Sequence, residues 1–328
     1  MNCICGSSTF KTISENVFDD RYGYPDKFEL LKCVNCSHII LNIEKNQINF
    51  DSLYGKYYPR KNLTSIDVKN GSRKIAGLKN KIKLYLEGLS NQGQIYAQRG
   101  MKVLDFGCGA GYSLVEMSEI GVDCYGIEAD TNVKIIAKEL GLKLHVGTLE
   151  DSPFKNIKFD LIILNQVLEH VPDPIHLIDK FKSMLSENGI IVISVPNVDS
   201  IYRKIFKFKW INWHIPYHIH HFNKETVSEL FKRNGYKIIK VKTVTPNLWT
   251  SLQIQSLRYE PKLGKSNYMW TGVGVQDYRK MSKLETLLHD FESKSSSGFA
   301  KYLMIIFNRI VDLLGYGDSL VIKVKIGK

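Results

Sequence analysis

The chain has 328 residues, 44% of them apolar, with 9 prolines and a formal charge of +12. That length and apolar content suit one folded main domain with additions, and exclude a disordered or fibrous chain. No apolar run reaches the length of a bilayer span, and the start Met1-Asn2-Cys3-Ile4-Cys5 does not read as a signal peptide. These features predict a cytoplasmic protein, either free or peripheral at the inner face of the membrane. The charge implies an anionic partner, such as a phosphorylated substrate or a membrane surface, or else a lysine-rich solvated surface. No arginine-rich run or nucleic-acid motif is present, so nucleic acid is not an expected partner.

Four of the six cysteines come early, as Cys3-Ile4-Cys5-Gly6 and Cys33-Val34-Asn35-Cys36. Two close pairs separated by a hairpin-length segment can place four thiolates, Cys3, Cys5, Cys33 and Cys36, around a structural Zn2+. A cytosolic setting disfavours disulfides. The first pair is a tight C-x-C, and His38 is a substitute ligand should one cysteine fall short. With strand-like stretches at 28–32 and 38–41, residues 1–50 read as a zinc-ribbon-like module. Residues 51–98 read as a helical linker. It comprises an aromatic patch at 53–59, a polar linker at 60–72 and a basic amphipathic helix at 73–90. The apolar side chains of that helix are Ile75, Leu78, Ile82, Tyr85, Leu86 and Leu89, and they either cover a ligand or pack ordinarily.

From residue 101 strands and helices alternate. Strands are predicted at 102–106, 123–127, 144–146, 160–165, 190–195, 236–244 and, far away, 319–326. Helices are predicted at 111–121, 131–140, 174–186 and 224–234. Such alternation makes a parallel, doubly wound α/β sheet. The most telling run is Val103-Leu104-Asp105-Phe106-Gly107-Cys108-Gly109-Ala110-Gly111-Tyr112, a strand entering glycines spaced G-x-G-x-G. Glycine tolerates unusual backbone angles and lets a ligand lie against the chain. A second strand, Cys124-Tyr125-Gly126-Ile127-Glu128, ends in an acid about 20 residues on, where a carboxylate can hold ribose hydroxyls. Tyr112 stands where the dinucleotide fingerprint needs glycine, and no Gly-Lys-Ser/Thr follows, so neither a nicotinamide cofactor nor a Walker-type phosphate site is favoured.

Leu104-Asp105-Phe106-Gly107-Cys108-Gly109 resembles motif I of the class I S-adenosylmethionine-dependent methyltransferases, and Gly126-Ile127-Glu128 resembles their ribose-binding acid motif. Residues 159–164, with Val167-Leu168-Glu169-His170-Val171-Pro172-Asp173-Pro174, are similar to their fourth strand and its loop. Residues 189–197 are similar to their fifth strand. The resemblance covers roughly residues 99 to 245. It implies a Rossmann-like seven-stranded sheet whose last strand, 319–326, runs antiparallel between the fifth and sixth. Residues 99–245 with 319–328 would then form the methyltransferase domain. Residues 246–318 would be an insertion in the last hairpin, facing substrate or membrane. S-adenosyl-L-methionine would be held by Asp105, Gly107, Cys108, Gly109, Gly111 and Tyr112, with Glu128 and Ala129 at the ribose. Thr148, Leu149 and Glu150 would meet the adenine, and Asn165 and Gln166 the methionine portion. Some sugar-modifying members of the superfamily carry an N-terminal cysteine module.

Candidate bases for a hydroxyl acceptor are His170, His218 and His221. A rival reading gives these histidines and Glu169 a divalent ion, although Gln166 stands where quinone-modifying relatives place the first acid. The apolar stretch 299–314 is expected to be a buried helix in preference to one lying in an interface. The stretch 204–213, mixing cations with aromatics, suits a membrane contact, a sugar-stacking wall or a plain aromatic cluster. The expected activity is O-methylation of a small-molecule or glycan-precursor substrate in bacterial glycan or natural-product biosynthesis. The alternatives are a quinone or lipid-linked acceptor at the membrane surface, and a non-catalytic zinc-bearing scaffold.

Overall fold

The structure, a computed structural model, describes residues 2–46, 48–58, 63–294 and 298–327. Its strands are β1 (Phe10–Phe18), β2 (Lys27–Cys33), β3 (Ile39–Leu41), β4 (Lys102–Phe106), β5 (Asp123–Glu128), β6 (Leu144–Val146), β7 (Phe159–Asn165), β8 (Leu185–Pro196), β9 (His220–His221), β10 (Tyr236–Val244) and β11 (Ser319–Ile326). The chain divides into two compact units.

The larger sheet lies in the unit built from Lys61–Val195, Val227–Val244 and Ser319–Lys328. Its strand order is β10-β11-β8-β7-β4-β5-β6. Neighbours from β8 to β6 pair in parallel, whereas β10 and β11 pair antiparallel along their length. This is the Rossmann-like α/β fold expected from the alternation. The central strands are apolar runs because helices cover both faces of a parallel sheet. Leu161, Ile162, Ile163 and Leu164 in β7 and Ile191, Val192 and Ile193 in β8 are fully buried. Strand order reverses between β4 and β7, and the crevice outside the carboxyl ends of such strands is where ligands bind.

The other unit gathers Met1–Arg60, Pro196–Thr226 and Thr245–Asp318. The expected boundaries placed 196–226 with the methyltransferase domain and read 246–318 as an insertion in the last hairpin, between what are here β10 and β11. In the structure the pairing of β9 with β3, Ile39 opposite His221 and Ile40 opposite His220, ties 196–226 to the cysteine-bearing segment. The resulting sheet, β1-β2-β3-β9, is antiparallel throughout. Phe28, Leu30, Leu41, Leu53, Trp210 and Tyr217 form the heart of its core. The stretch 204–213 divides: Phe206, Trp210 and Trp213 enter that core, while Ile205 and Phe208 stay exposed. A buried Asp318 carboxylate accepts from Trp210 Nε1 at 2.8 Å and Asn212 Nδ2 at 3.0 Å, joining two distant pieces of chain.

Three expectations need correction. Within the polar linker, residues 60–62 lie outside the described residues, as does Pro59, but Ser65–Gly71 is a helix. A reciprocal cap starts it, with Asp67 N–H donating to Thr64 Oγ1 and Thr64 N–H donating to Asp67 Oδ2. The following helix is shorter than predicted, Leu78–Glu87, and buries Leu84 rather than Leu78, Ile82, Tyr85 or Leu86, which are exposed. Finally, Gly298–Leu313 is a helix, but it is not buried: Phe299, Tyr302 and Leu313 are 77%, 67% and 79% exposed. Its buried positions are Ala300, Asn308, Arg309 and Val311, so most of its large apolar side chains are left outside.

Candidate cofactor site and cysteine cluster

The glycine loop leaves β4 and enters the helix Tyr112–Ser118. Gly107, Gly109 and Gly111 all adopt left-handed backbone angles, with φ of 74°, 55° and 89°. Their surroundings differ. A Cβ on Gly107 would stand 2.5 Å from Val167 Cγ2, and one on Gly111 would stand 2.7 Å from Leu142 Cδ1. A Cβ on Gly109 would meet nothing within 4 Å. Two glycines therefore serve packing, and the third presents bare backbone to open space.

Glu128, at the end of β5, reaches back to this loop. Its Oε2 accepts from Gly109 N–H at 2.8 Å and its Oε1 from Asp130 N–H at 3.0 Å. A carboxylate has about four lone-pair sites, so capacity remains for two ribose hydroxyls. Asp105 is buried at the end of β4, with Oδ2 accepting from the Ser113 hydroxyl and Oδ1 without a hydrogen-bond partner among the described residues. Burial pushes its carboxyl up to about 7, against the pull of Ser113; the charges of Glu128 and Glu116 add to the rise. Cys108 tucks beneath the loop, where Gly126 leaves room for its sulfur. Ala129 is exposed and Tyr112 half-buried.

Asn165 closes β7. Its Oδ1 accepts from Gly93 N–H at 2.7 Å, and its Nδ2 donates to Gln94 Oε1 at 3.0 Å. Gln94 Nε2 donates to Glu116 Oε2 at 2.9 Å, and Glu116 Oε1 accepts from both the backbone N–H and Nε of Arg73 at 3.0 Å. This network ties residues 73 and 92–94 to the sheet's carboxyl end. Arg73, Gln94 and Glu116 were not among the residues expected here. Apart from Gln94's bond to Gln92, their partners are 19 to 71 residues away in sequence, out of reach of any local pattern. Gln166 has φ of 57°, and its Nε2 donates to Ser319 Oγ at 3.1 Å. Glu169 is fully buried, neither carboxyl oxygen has a hydrogen-bond partner among the described residues, and burial pushes the group up to about 8.

The Thr148 hydroxyl and N–H both donate to Asp151 Oδ1, at 2.8 and 2.7 Å. Leu149 is buried, and the exposed Glu150 pairs with Lys180. Of the candidate bases, His170 lies in the sheet unit, in the turn after β7; His218 and His221 lie in the cysteine-bearing unit. His221 packs edge-on to Trp213, 4.8 Å between ring centroids, and burial pushes it down to about 3. It is therefore neutral, and a weak base, at physiological pH.

The cysteines come together as predicted. The sulfurs of Cys3, Cys5, Cys33 and Cys36 all lie within 4.8 Å of one another. Cys3 and Cys36 are 3.5 Å apart, and Cys5 and Cys33 are 3.6 Å apart. With Zn–S near 2.3 Å, a tetrahedral site needs sulfurs about 3.8 Å apart, so the set fits a zinc ion. Left-handed Gly6 and Ser37 make the two knuckles. His38, the expected substitute ligand, is not in this group: its Nε2 lies 3.0 Å from His220 Nδ1, fully buried, where β3 meets β9.

Residues 79–241 match the family model described as a methyltransferase domain. With the strand order and the glycine loop, this makes that stretch a class I S-adenosylmethionine-dependent methyltransferase domain. The chain is 37% identical over 109 residues to a ubiquinone biosynthesis O-methyltransferase of Haemophilus ducreyi, covering 30% of this chain and 46% of that protein. It is 34% identical over 140 residues to the same-named protein of Actinobacillus pleuropneumoniae, covering 39% and 58%. The chain thus spans about half the length of these curated relatives. A solved structure, Haemonchus contortus phosphoethanolamine N-methyltransferase 2 in complex with S-adenosyl-L-methionine, is similar with a TM-score of 0.47 and 17% identity, covering 86% of this chain and 60% of that one.

Proposed function

We propose that the protein is an S-adenosylmethionine-dependent methyltransferase that modifies an acceptor hydroxyl. The observation carrying this reading is the bare face of Gly109, beside the Glu128 carboxylate and in the same loop region as the unpartnered buried oxygen of Asp105. Those groups suit the cofactor: backbone for close approach, Glu128 for its ribose, Asp105 for a donor such as its amino group. When bound, the cofactor supplies an already activated methyl sulfonium. What the protein then adds is alignment of the nucleophile and exclusion of water. The network through Asn165, Gln94, Glu116 and Arg73 holds the segment leading into the domain in place for that task.

The names of the curated relatives favour a hydroxyl on a quinone-type ring as the acceptor. A sugar-like acceptor in glycan or natural-product assembly is the second reading, supported by the four-cysteine cluster, since sugar-modifying members of the resembled family carry such a module. A structural zinc in that cluster would hold a small region together. Among the histidines, His221 is the weakest candidate base, because burial lowers it to about 3; His170 and His218 remain candidates.

Calorimetry with S-adenosylmethionine is the first test, and saturable binding is expected. Absence of both heat and thermal shift would overturn the reading in favour of a scaffold. Methyl transfer from labelled cofactor to a catechol-type quinone precursor, compared with a sugar acceptor, then separates the two substrate classes. His218→Ala is expected to lower turnover while leaving cofactor affinity unchanged.

A further inference from the structure

The helix Gly298–Leu313 is anchored largely through polar side chains. Its buried positions are Ala300, Asn308, Arg309 and Val311. Asn308 accepts from the Tyr202 hydroxyl at 2.5 Å and donates to Asn247 Oδ1 and Thr250 Oγ1, each at 3.0 Å. Arg309 pairs with Asp312 at 3.0 Å and donates to the Thr245 carbonyl. These inward bonds fix the helix's rotation. Phe299, Tyr302, Ile306, Ile310 and Leu313, at helical spacing, are consequently turned outward and are 50–79% exposed. A stripe of that size on a chain surface marks a contact for something apolar.

The charges beside the stripe identify what that something is. Arg309 and Asp312 are buried, so the one exposed charge on residues 298–313 is Lys301. Beyond the helix, Tyr316 N–H and carbonyl hold the chain turn: its carbonyl accepts from Ile201 N–H at 3.0 Å, and Lys204 Nζ sits 4.4 Å from its ring centroid. This brings the exposed Lys204 to the end of the stripe. That end of the stripe is therefore cationic. The stripe begins with phenylalanine and tyrosine, Phe299 and Tyr302, side chains that settle at a headgroup boundary. No described helix is long and apolar enough to cross a membrane. In the sheet unit, the helix Leu78–Glu87 independently exposes Leu78, Ile82, Tyr85 and Leu86 among Lys79, Lys81 and Lys83. A second copy of this chain, itself carrying +12, would set like charge against like at that cationic end; an anionic lipid surface would not.

We propose that Gly298–Leu313 lies in the plane of an anionic membrane surface, its apolar stripe among the acyl chains and Lys204 and Lys301 at the headgroups. This does not depend on the methyl-transfer reading. The test is co-sedimentation of the full chain with phosphatidylglycerol-containing vesicles and with pure phosphatidylcholine vesicles, alongside light scattering on a sizing column. Binding to the anionic vesicles that weakens with salt is expected. Lys204→Gln should reduce partitioning about fivefold, the equivalent of ~1 kcal/mol per lysine near the surface. Ile306→Glu combined with Ile310→Glu should abolish binding while leaving the melting temperature and cofactor heat unchanged, since both side chains are solvent-facing. Three results would overturn the proposal: no binding to anionic vesicles, equal binding by the double variant, or a wild-type dimer that the double variant dissociates.

Discussion

Gly109→Ala separates a glycine needed by the fold from one needed by a ligand. The backbone at Gly109 has φ of 55°, so any side chain there carries the cost of the left-handed region, about 1–2 kcal/mol. The added methyl meets no protein atom within 4 Å, so no packing penalty is added. At about 2–4 °C per kcal/mol for a domain of this size, the melting temperature should fall by only about 2–8 °C. Cofactor binding should suffer more. A ligand lifted off the loop by a methyl group loses hydrogen bonds to backbone and to Glu128, about 1.5–3 kcal/mol, or about 10–150-fold in Kd. Gly107→Ala is the contrasting variant: its Cβ would sit 2.5 Å from Val167 Cγ2, so its main effect is on stability. Thermal melts and calorimetry with S-adenosylmethionine measure both quantities on the same samples. An unchanged Kd in Gly109→Ala, with the modest melting shift present, would refute the placement of the cofactor on this loop.

Two further outcomes follow from the buried groups. Glu169 keeps its proton up to about 8 when folded, so between the ordinary glutamate range and that pH the folded state binds more protons than the unfolded one, and stability falls as pH rises through this window. Glu169→Gln should remove that dependence, gaining on the order of several kcal/mol at pH 9 relative to its effect at pH 4; parallel melting-temperature profiles for the two proteins would count against it. For the cysteine cluster, elemental analysis of purified protein should find about one zinc per chain, and Cys33→Ser should lose it together with stability of the cysteine-bearing unit. A metal-free wild-type protein with an undiminished melt would rule out the structural role.

The strand-turn-helix at Val103–Tyr112, the acid at Glu128 and the paired cysteines were all legible in the sequence, because each depends on short spacing: glycine where φ is positive, an acid at a strand's end, thiols two or three residues apart. The alternation of periods was enough to predict the parallel sheet. Tertiary structure alone decided what depends on distant partners. The pairing of Ile39–Leu41 with His220–His221 took residues 196–226 out of the expected domain and gave His38 a histidine partner instead of a metal. Glu116 became a buried anchor only because Arg73 and Gln94 reach it from elsewhere in the chain. The helix Gly298–Leu313 shows the physical reason most plainly. Its apolar period is the same whether it faces a core or solvent, and the choice was made by Tyr202, Thr245, Asn247 and Thr250, which bond its polar face and so turn the apolar one outward.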